Sequence, residues 1–287
     1  MNLIKEIRTA LGLSQTEFAD LVSVSFTAVN RWENGKAAPN SIAQERIFEI
    51  ATEKSIPVDQ MIYRRIQSEA DQLSIDDGRL LLYHGSKSGI HGAIAPVSRD
   101  NCDFGKGFYM GTLPEQPLTL VCDFEKSKFY ILSVSLSDMN CLSVEPNMDW
   151  AMLVAFHRGK MEGIQGTALY KKYQAMAENH DYLIGSIAND RMFYVLDNFF
   201  LGNITDTALV KSLKALQLGQ QYVALTQKAC DGIRIEKELP LTHLERRCLQ
   251  EKAKAKRQEG ISLANDICKT YRREGRFFDE ILEQAKE

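Results

Sequence analysis

The chain has 287 residues, length for roughly two domains, and a formal charge of −3 that excludes nucleic-acid binding by bulk charge. With 44% hydrophobic and 25% charged residues it has a globular protein's composition, and no apolar run reaches the length of a membrane span. Six scattered cysteines without a Cys-x-x-Cys pair exclude a disulfide scaffold or zinc site, and the opening MNLIKEIRTA lacks a signal peptide's apolar centre; a cytoplasmic, reducing setting with no metal is expected.

Leu3, Ile4, Ile7 and Leu11 share one helical face, and Gly12 breaks that helix. Ser14 with Glu17 three residues on forms a capping box for a second helix, QTEFADLV, ending near Ser23. A third is expected from about Ser25 through Val29 and Trp32, with Gly35 as its stop. Apolar periodicity around SIAQERIFEIA and VDQMIYRRIQ predicts two more. From about Leu80 short β-type runs take over (RLLLYHG, FYILSVSL, DYLIGSIA, QYVALT, GIRIEK), interrupted by the helical segments DWAMLVAFHRG and DTALVKSLKAL. The polar SEADQLSIDDG reads as a linker. After Pro240 the pattern is helical again, and Arg246, Arg247, Lys252, Lys254, Lys256 and Arg257 face only Glu251; such a run is usually a solvated face, the alternative being a nucleic-acid or partner contact. The expected organisation is an all-helical head over residues 1–70, an α+β domain over 78–238 and a helical extension over 240–287.

The string LSQTEFADLVSVSFTAVNRWENGKAAPN resembles the lambda-repressor-like helix-turn-helix family, through Leu13-Ser14-Gln15, Phe18-Ala19 and Trp32-Glu33-Asn34-Gly35. Ala19 is small where two helices cross, and Phe18, Leu21, Val29 and Trp32 are expected to supply the core. The third helix offers Ser25, Phe26, Thr27, Asn30 and Arg31 to a DNA major groove, and the resemblance implies that Gln15 meets a phosphate. Residues 1–66 balance eight lysines and arginines against eight aspartates and glutamates, thin support for a lone DNA binder, and a homodimer would double the contacts. Binding or docking to protein alone is the alternative.

In the second domain an apolar strand delivers His84 into LLYHGSKSG, DFGKGFYMGT follows at 103–112, and LGQQYVALT lies far downstream. In that order the three resemble the motifs of ADP-ribosyltransferases of the diphtheria-toxin and poly(ADP-ribose) polymerase type. More closely, Asp103–Tyr109, Asp149-Trp150 and HDYLIGSIANDR resemble a bacterial domain-of-unknown-function family related to them. The resemblance implies a split β-sheet core with flanking helices and NAD as co-substrate. By it, His84 holds a ribose hydroxyl, Gly85 the carboxamide, and Ser86 helps with the ribose. Gly105 and Gly107 let the backbone turn beneath the nicotinamide, which Tyr109 stacks on beside Phe108.

The polymerase pattern places a glutamate where this chain has Gln221, before Tyr222. Losing that charge costs on the order of 1–3 kcal/mol, roughly ten- to a hundredfold in rate, so polymer synthesis is not expected. His84, Tyr109 and Gln221 are the expected catalytic residues, with Asp190 a candidate for the missing charge; Gln227 is an alternative third residue, though such a residue is more often a polar group at a helix start. Arg191 is either an ion pair or a pyrophosphate contact. Trp150 is read as core, and His91, His157 and His243 as ordinary histidines.

The expected function is single ADP-ribose transfer to a protein or nucleic acid by an enzyme with a DNA-binding head, in a toxin–antitoxin or phage-defence setting with a cognate antitoxin. The alternatives are a transcription regulator that binds NAD or ADP-ribose without catalysis, and a scaffold with no ligand.

Overall fold

The computed structural model describes residues 2–187, 190–216 and 219–286, without the side chains of Asp190, Arg191 and Phe193. The head consists of α1 (Leu3–Ala10), α2 (Gln15–Val22), α3 (Phe26–Glu33), α4 (Ser41–Glu53) and α5 (Val58–Asp71). The capping box opens α2: Ser14 Oγ accepts from the Glu17 N–H at 3.2 Å and the Glu17 carboxylate accepts from the Ser14 N–H at 2.7 Å. Ser23 closes the helix in the left-handed region, and Ser25 caps α3. Phe18, Val29 and Trp32 are buried as expected, but Leu21 is exposed.

Seven strands make one sheet: β1 (Arg79–Ser86), β2 (Phe108–Gly111), β3 (Lys128–Ser135), β4 (Cys141–Val144), β5 (Tyr182–Ser186), β6 (Gln220–Ala224) and β7 (Ile233–Pro240). Their order is β4-β5-β6-β2-β1-β3-β7; β4 and β5 run parallel and every other pair antiparallel. β1 pairs with β3 along its whole length but meets β2 only at Tyr83↔Gly111. The sheet is therefore pinched between β1 and β2. The helices of this part are α6 (Glu115–Val121), α7 (Met148–His157), α8 (Ala168–Ala177), α9 (Asp190–Phe200), α10 (Asp206–Ala215) and α11 (Gln227–Asp231), followed by α12 (His243–Tyr271) and α13 (Phe278–Gln284).

Alternation along the strands gives the sheet two apolar faces. Val223 and Leu183 pack with α7, α9 and α10, while Leu82, Phe108, Met110, Tyr130 and Tyr182 share a core on the other face. A third core crosses the expected boundary: Phe18, Ile47 and Ile62 of the head are continuous with Tyr83, Phe129 and Ile131 of the sheet and with Leu244 and Leu249 of α12. The polar stretch 68–78 is accordingly no tether. Its first residues extend α5 to Asp71, with Ala70 buried, and only a short connection remains before β1.

The basic run of α12 is split: Lys254 and Arg257 lie on an exposed face as expected, whereas Arg246, Arg247, Lys252 and Lys256 turn to other parts of the chain. Glu45 of α4 takes His243 at 2.6 Å and Arg247 at 3.2 Å, Arg65 of α5 pairs with buried Glu245, and Lys252 reaches Asp59 at 3.4 Å. Arg247 also lies 4.5 Å over the Phe48 ring. Further along, Lys256 pairs with Glu115 of α6, and Arg246 donates to the Glu125 carbonyl at 2.9 Å. These cations spend their charge on other parts of the same chain.

Candidate functional site

Where β1 and β2 part, the ladder is replaced by a side chain. His84 Nδ1 lies 2.7 Å from the Tyr109 carbonyl oxygen, and the imidazole stacks on Phe108 with centroids 4.3 Å apart. A carbonyl only accepts, so Nδ1 carries the proton and Nε2 keeps its lone pair. Burial pushes the His84 pKa down, more than the Tyr109 carbonyl raises it, and the ring is neutral at pH 7. Gly85 follows because α6 lies on it: a Cβ there would stand 2.5 Å from the Pro117 carbonyl and 2.9 Å from Val121 Cγ1. That approach turns α6 into a wall over the strands.

The wall encloses a cavity of about 520 Å³, within the roughly 300–1,000 Å³ of small-molecule sites. His84, Gly85, Tyr109 and Gln221 all border it. One register row, Tyr83, Gly111 and Gln221, crosses its floor, and α6 adds Gln116, Pro117 and Leu120. Gln221 is 5% exposed and donates Nε2 to the Ser186 carbonyl at 3.2 Å, so the third motif position is a neutral, anchored amide.

The glycine turn before β2 is built differently from expectation. Neither Gly105 nor Gly107 borders the cavity. Gly105 has φ +74°, and a Cβ on it would come 2.8 Å from His157 Nδ1; one on Gly107 would meet Val223 Cγ1 at 2.5 Å. What approaches these glycines is the protein: the end of α7 and strand β6. Tyr109 ties the turn down, donating its hydroxyl to the Gly105 carbonyl at 2.7 Å and accepting from the Phe104 N–H at 3.1 Å. Burial pushes the Tyr109 hydroxyl pKa far up, so it stays a donor.

Phe108 and Ser86 also lie off the cavity. Phe108 is buried beneath His84, and Ser86 closes a turn by donating to the Gly89 carbonyl at 2.9 Å and accepting its N–H at 3.1 Å. The side chains of Asp190 and Arg191 lie outside the described residues. Gln227 donates to the Ile94 carbonyl at 3.0 Å and to Asp231 at 2.8 Å, at the start of α11 and away from the cavity.

Charge enters from residues that sequence reasoning did not single out. Arg158 donates to Asp103 at 2.6 Å and lies 3.6 Å from Asp197, while Arg99 and Lys160 are exposed; all five border the cavity. Asp103 stands in the quoted DFGKGFY, which was its one signal; Arg158 simply follows His157 at the end of α7. Trp150 is fully buried and donates to the Ser186 carbonyl at 3.1 Å, and Asp149 caps this region through Lys172 at 2.6 Å and Tyr173 at 2.8 Å. Lys172 and Tyr173 hold the Asp149 carboxyl below its ordinary pKa.

On the head, three expected DNA contacts have partners inside the protein. Gln15 Nε2 donates to Glu33 at 2.7 Å, Asn30 donates to Gln15 at 3.3 Å, and Arg8 fixes Glu33 at 2.6 Å. Ser25 accepts the Ala28 N–H at 3.1 Å as the cap of α3. Phe26, Thr27 and Arg31 form the exposed row of α3.

No helix among the described residues is long and apolar enough to cross a membrane. No curated protein matches the chain, and no solved structure does. A family model described as helix-turn-helix matches residues 4–51, which makes the head a DNA-binding module. A second, described as a protein of unknown function (DUF3990), matches residues 80–235, more than half of the chain and the whole sheet up to β7. The chain thus belongs to the DUF3990 family and joins that domain of unknown function to a DNA-binding helix-turn-helix.

Proposed function

We propose that the cavity binds NAD and that the chain transfers a single ADP-ribose group from it to a protein or nucleic acid acceptor. One observation carries the reading. His84, Tyr109 and Gln221, widely separated in sequence, border one cavity at the pinch of the sheet, and they are the three positions of the transferase motifs. The residues suit the ligand. His84 Nε2 is a bare acceptor for a ribose hydroxyl, and Arg99 and Lys160 offer positive charge to a pyrophosphate.

Breaking the bond between nicotinamide and ribose builds positive charge on the sugar, and the bonding pair leaves with neutral nicotinamide. Gln221 supplies a fixed dipole for that charge where a carboxylate would supply a full one. This favours one slow transfer over chain elongation. The same glutamine favours a second reading, in which the domain binds NAD and reports it to the DNA-binding head without cleaving it.

The test is nicotinamide release by the full chain given NAD and a cell extract. The transferase reading expects release, and loss of it in His84→Ala. NAD binding without release, together with a nucleotide-dependent change in DNA affinity, supports the sensor. No NAD binding at all defeats both.

A further inference from the structure

Gln116 is the second residue of α6 and borders the cavity. A Cβ on Gly111 would stand 3.1 Å from its Oε1, and one on Gly219 would stand 2.8 Å from its Nε2. Two glycines thus leave the space that the Gln116 amide occupies. The bare Gly85 lets α6 lie this close to the strands. Yet Oε1 is buried and accepts no hydrogen bond. A buried acceptor left unpaired costs roughly 1–3 kcal/mol, and interiors rarely retain one without a use for it. The neighbouring amide is different, since Gln221 already donates to Ser186.

Resting on the NAD reading above, we infer that Gln116 is a ligand-binding residue whose Oε1 accepts a hydrogen bond from a hydroxyl or amide N–H of the nucleotide. A carbonyl oxygen has no proton to give, so this position selects a ribose hydroxyl or the carboxamide NH2 and rejects phosphate and carboxylate groups. The anionic part of the ligand is left to Arg99 and Lys160 on the same cavity. Gln116 and Gln221 flank Gly111, the first by contact and the second by strand register, so two amides meet the ligand around one glycine.

The experiment measures NAD affinity by calorimetry and unfolding of the ligand-free chain in urea, for wild type, Gln116→Leu and Gln116→Met. Both variants keep bulk and remove the acceptor. The inference expects NAD binding at least tenfold weaker in the variants, with the ligand-free midpoint unchanged or higher because an unpaired polar atom has gone. The methionine variant, unbranched like glutamine, carries the test should the leucine one fail to fold. Separate titrations with nicotinamide and with ADP-ribose identify the half of the molecule that donates, and weakening in either supports the assignment. Variants that bind NAD as tightly as wild type overturn the inference and leave the NAD reading intact. A wild type that binds no NAD overturns both.

Discussion

Replacing Gly105 by alanine tests the account of the glycine turn most directly. A side chain at φ +74° pays the left-handed penalty of roughly 1–2 kcal/mol. Its methyl would also sit 2.8 Å from Nδ1 of His157, a ring packed edge-on against Phe156 at 5.5 Å, and such overpacking adds about 1–3 kcal/mol. Against this, alanine restricts the unfolded chain, which returns roughly 0.4–1 kcal/mol. The net expectation is a loss of about 2–4 kcal/mol in urea unfolding. His157→Ala should make the same glycine substitution cheaper by about 1–3 kcal/mol, because it removes the clash and leaves only the backbone penalty. The reasoning fails if Gly105→Ala unfolds within about 0.5 kcal/mol of wild type. It fails equally if the two substitutions are additive, since His157 would then not be what the glycine accommodates.

Three further outcomes are expected. Burial holds the His157 pKa down at about 4, so the unfolded chain takes up a proton first as the pH falls below about 6.5 and stability drops toward pH 4, by roughly 3 kcal/mol at the limit; His157→Gln should flatten that slope in urea midpoints taken between pH 7 and 4.5, and an unchanged slope would refute the assignment. Arg158→Met takes the arginine of its ion pair from the nearly buried Asp103 carboxylate and should cost about 3 kcal/mol, much of it recovered by adding Asp103→Asn; a lone loss under about 1 kcal/mol would show that the pair contributes little. Arg31→Ala, on the exposed row of α3, should weaken duplex DNA binding and lower the salt slope by about 0.9 without moving the urea midpoint, whereas intact binding would place the DNA surface elsewhere.

The head was legible because its signals are local. Capping by Ser14, the end of α2 near Ser23 and the Gly35 stop each depend on residues within one turn of one another. Strands β2 and β4 escaped because four residues do not establish a period of two, and α6 because its first turn, EQP, carries a proline. The cavity was legible as three motifs but not as a charge distribution: Arg158, Asp103 and Asp197 come together only when α7, α9 and the turn before β2 are packed. The glycines were misread for the same reason. A sequence shows that a side chain is missing, and only the fold shows whether His157, Val223 or a ligand fills the space.

The long α12 has a consequence for how the two halves work. It is riveted to α4 and α5 at one end and reaches α6 and α10 farther along, so the connection at 72–78 is not what joins them. A cut there would leave the fragments clasped. Because one continuous core joins the two halves, a duplex bound on α3 would stand at a set offset from the mouth of the cavity, like a workpiece in a jig. On the proposed reading, an acceptor reaching the cavity of a DNA-bound copy would come from solution or from the nucleic acid within that span.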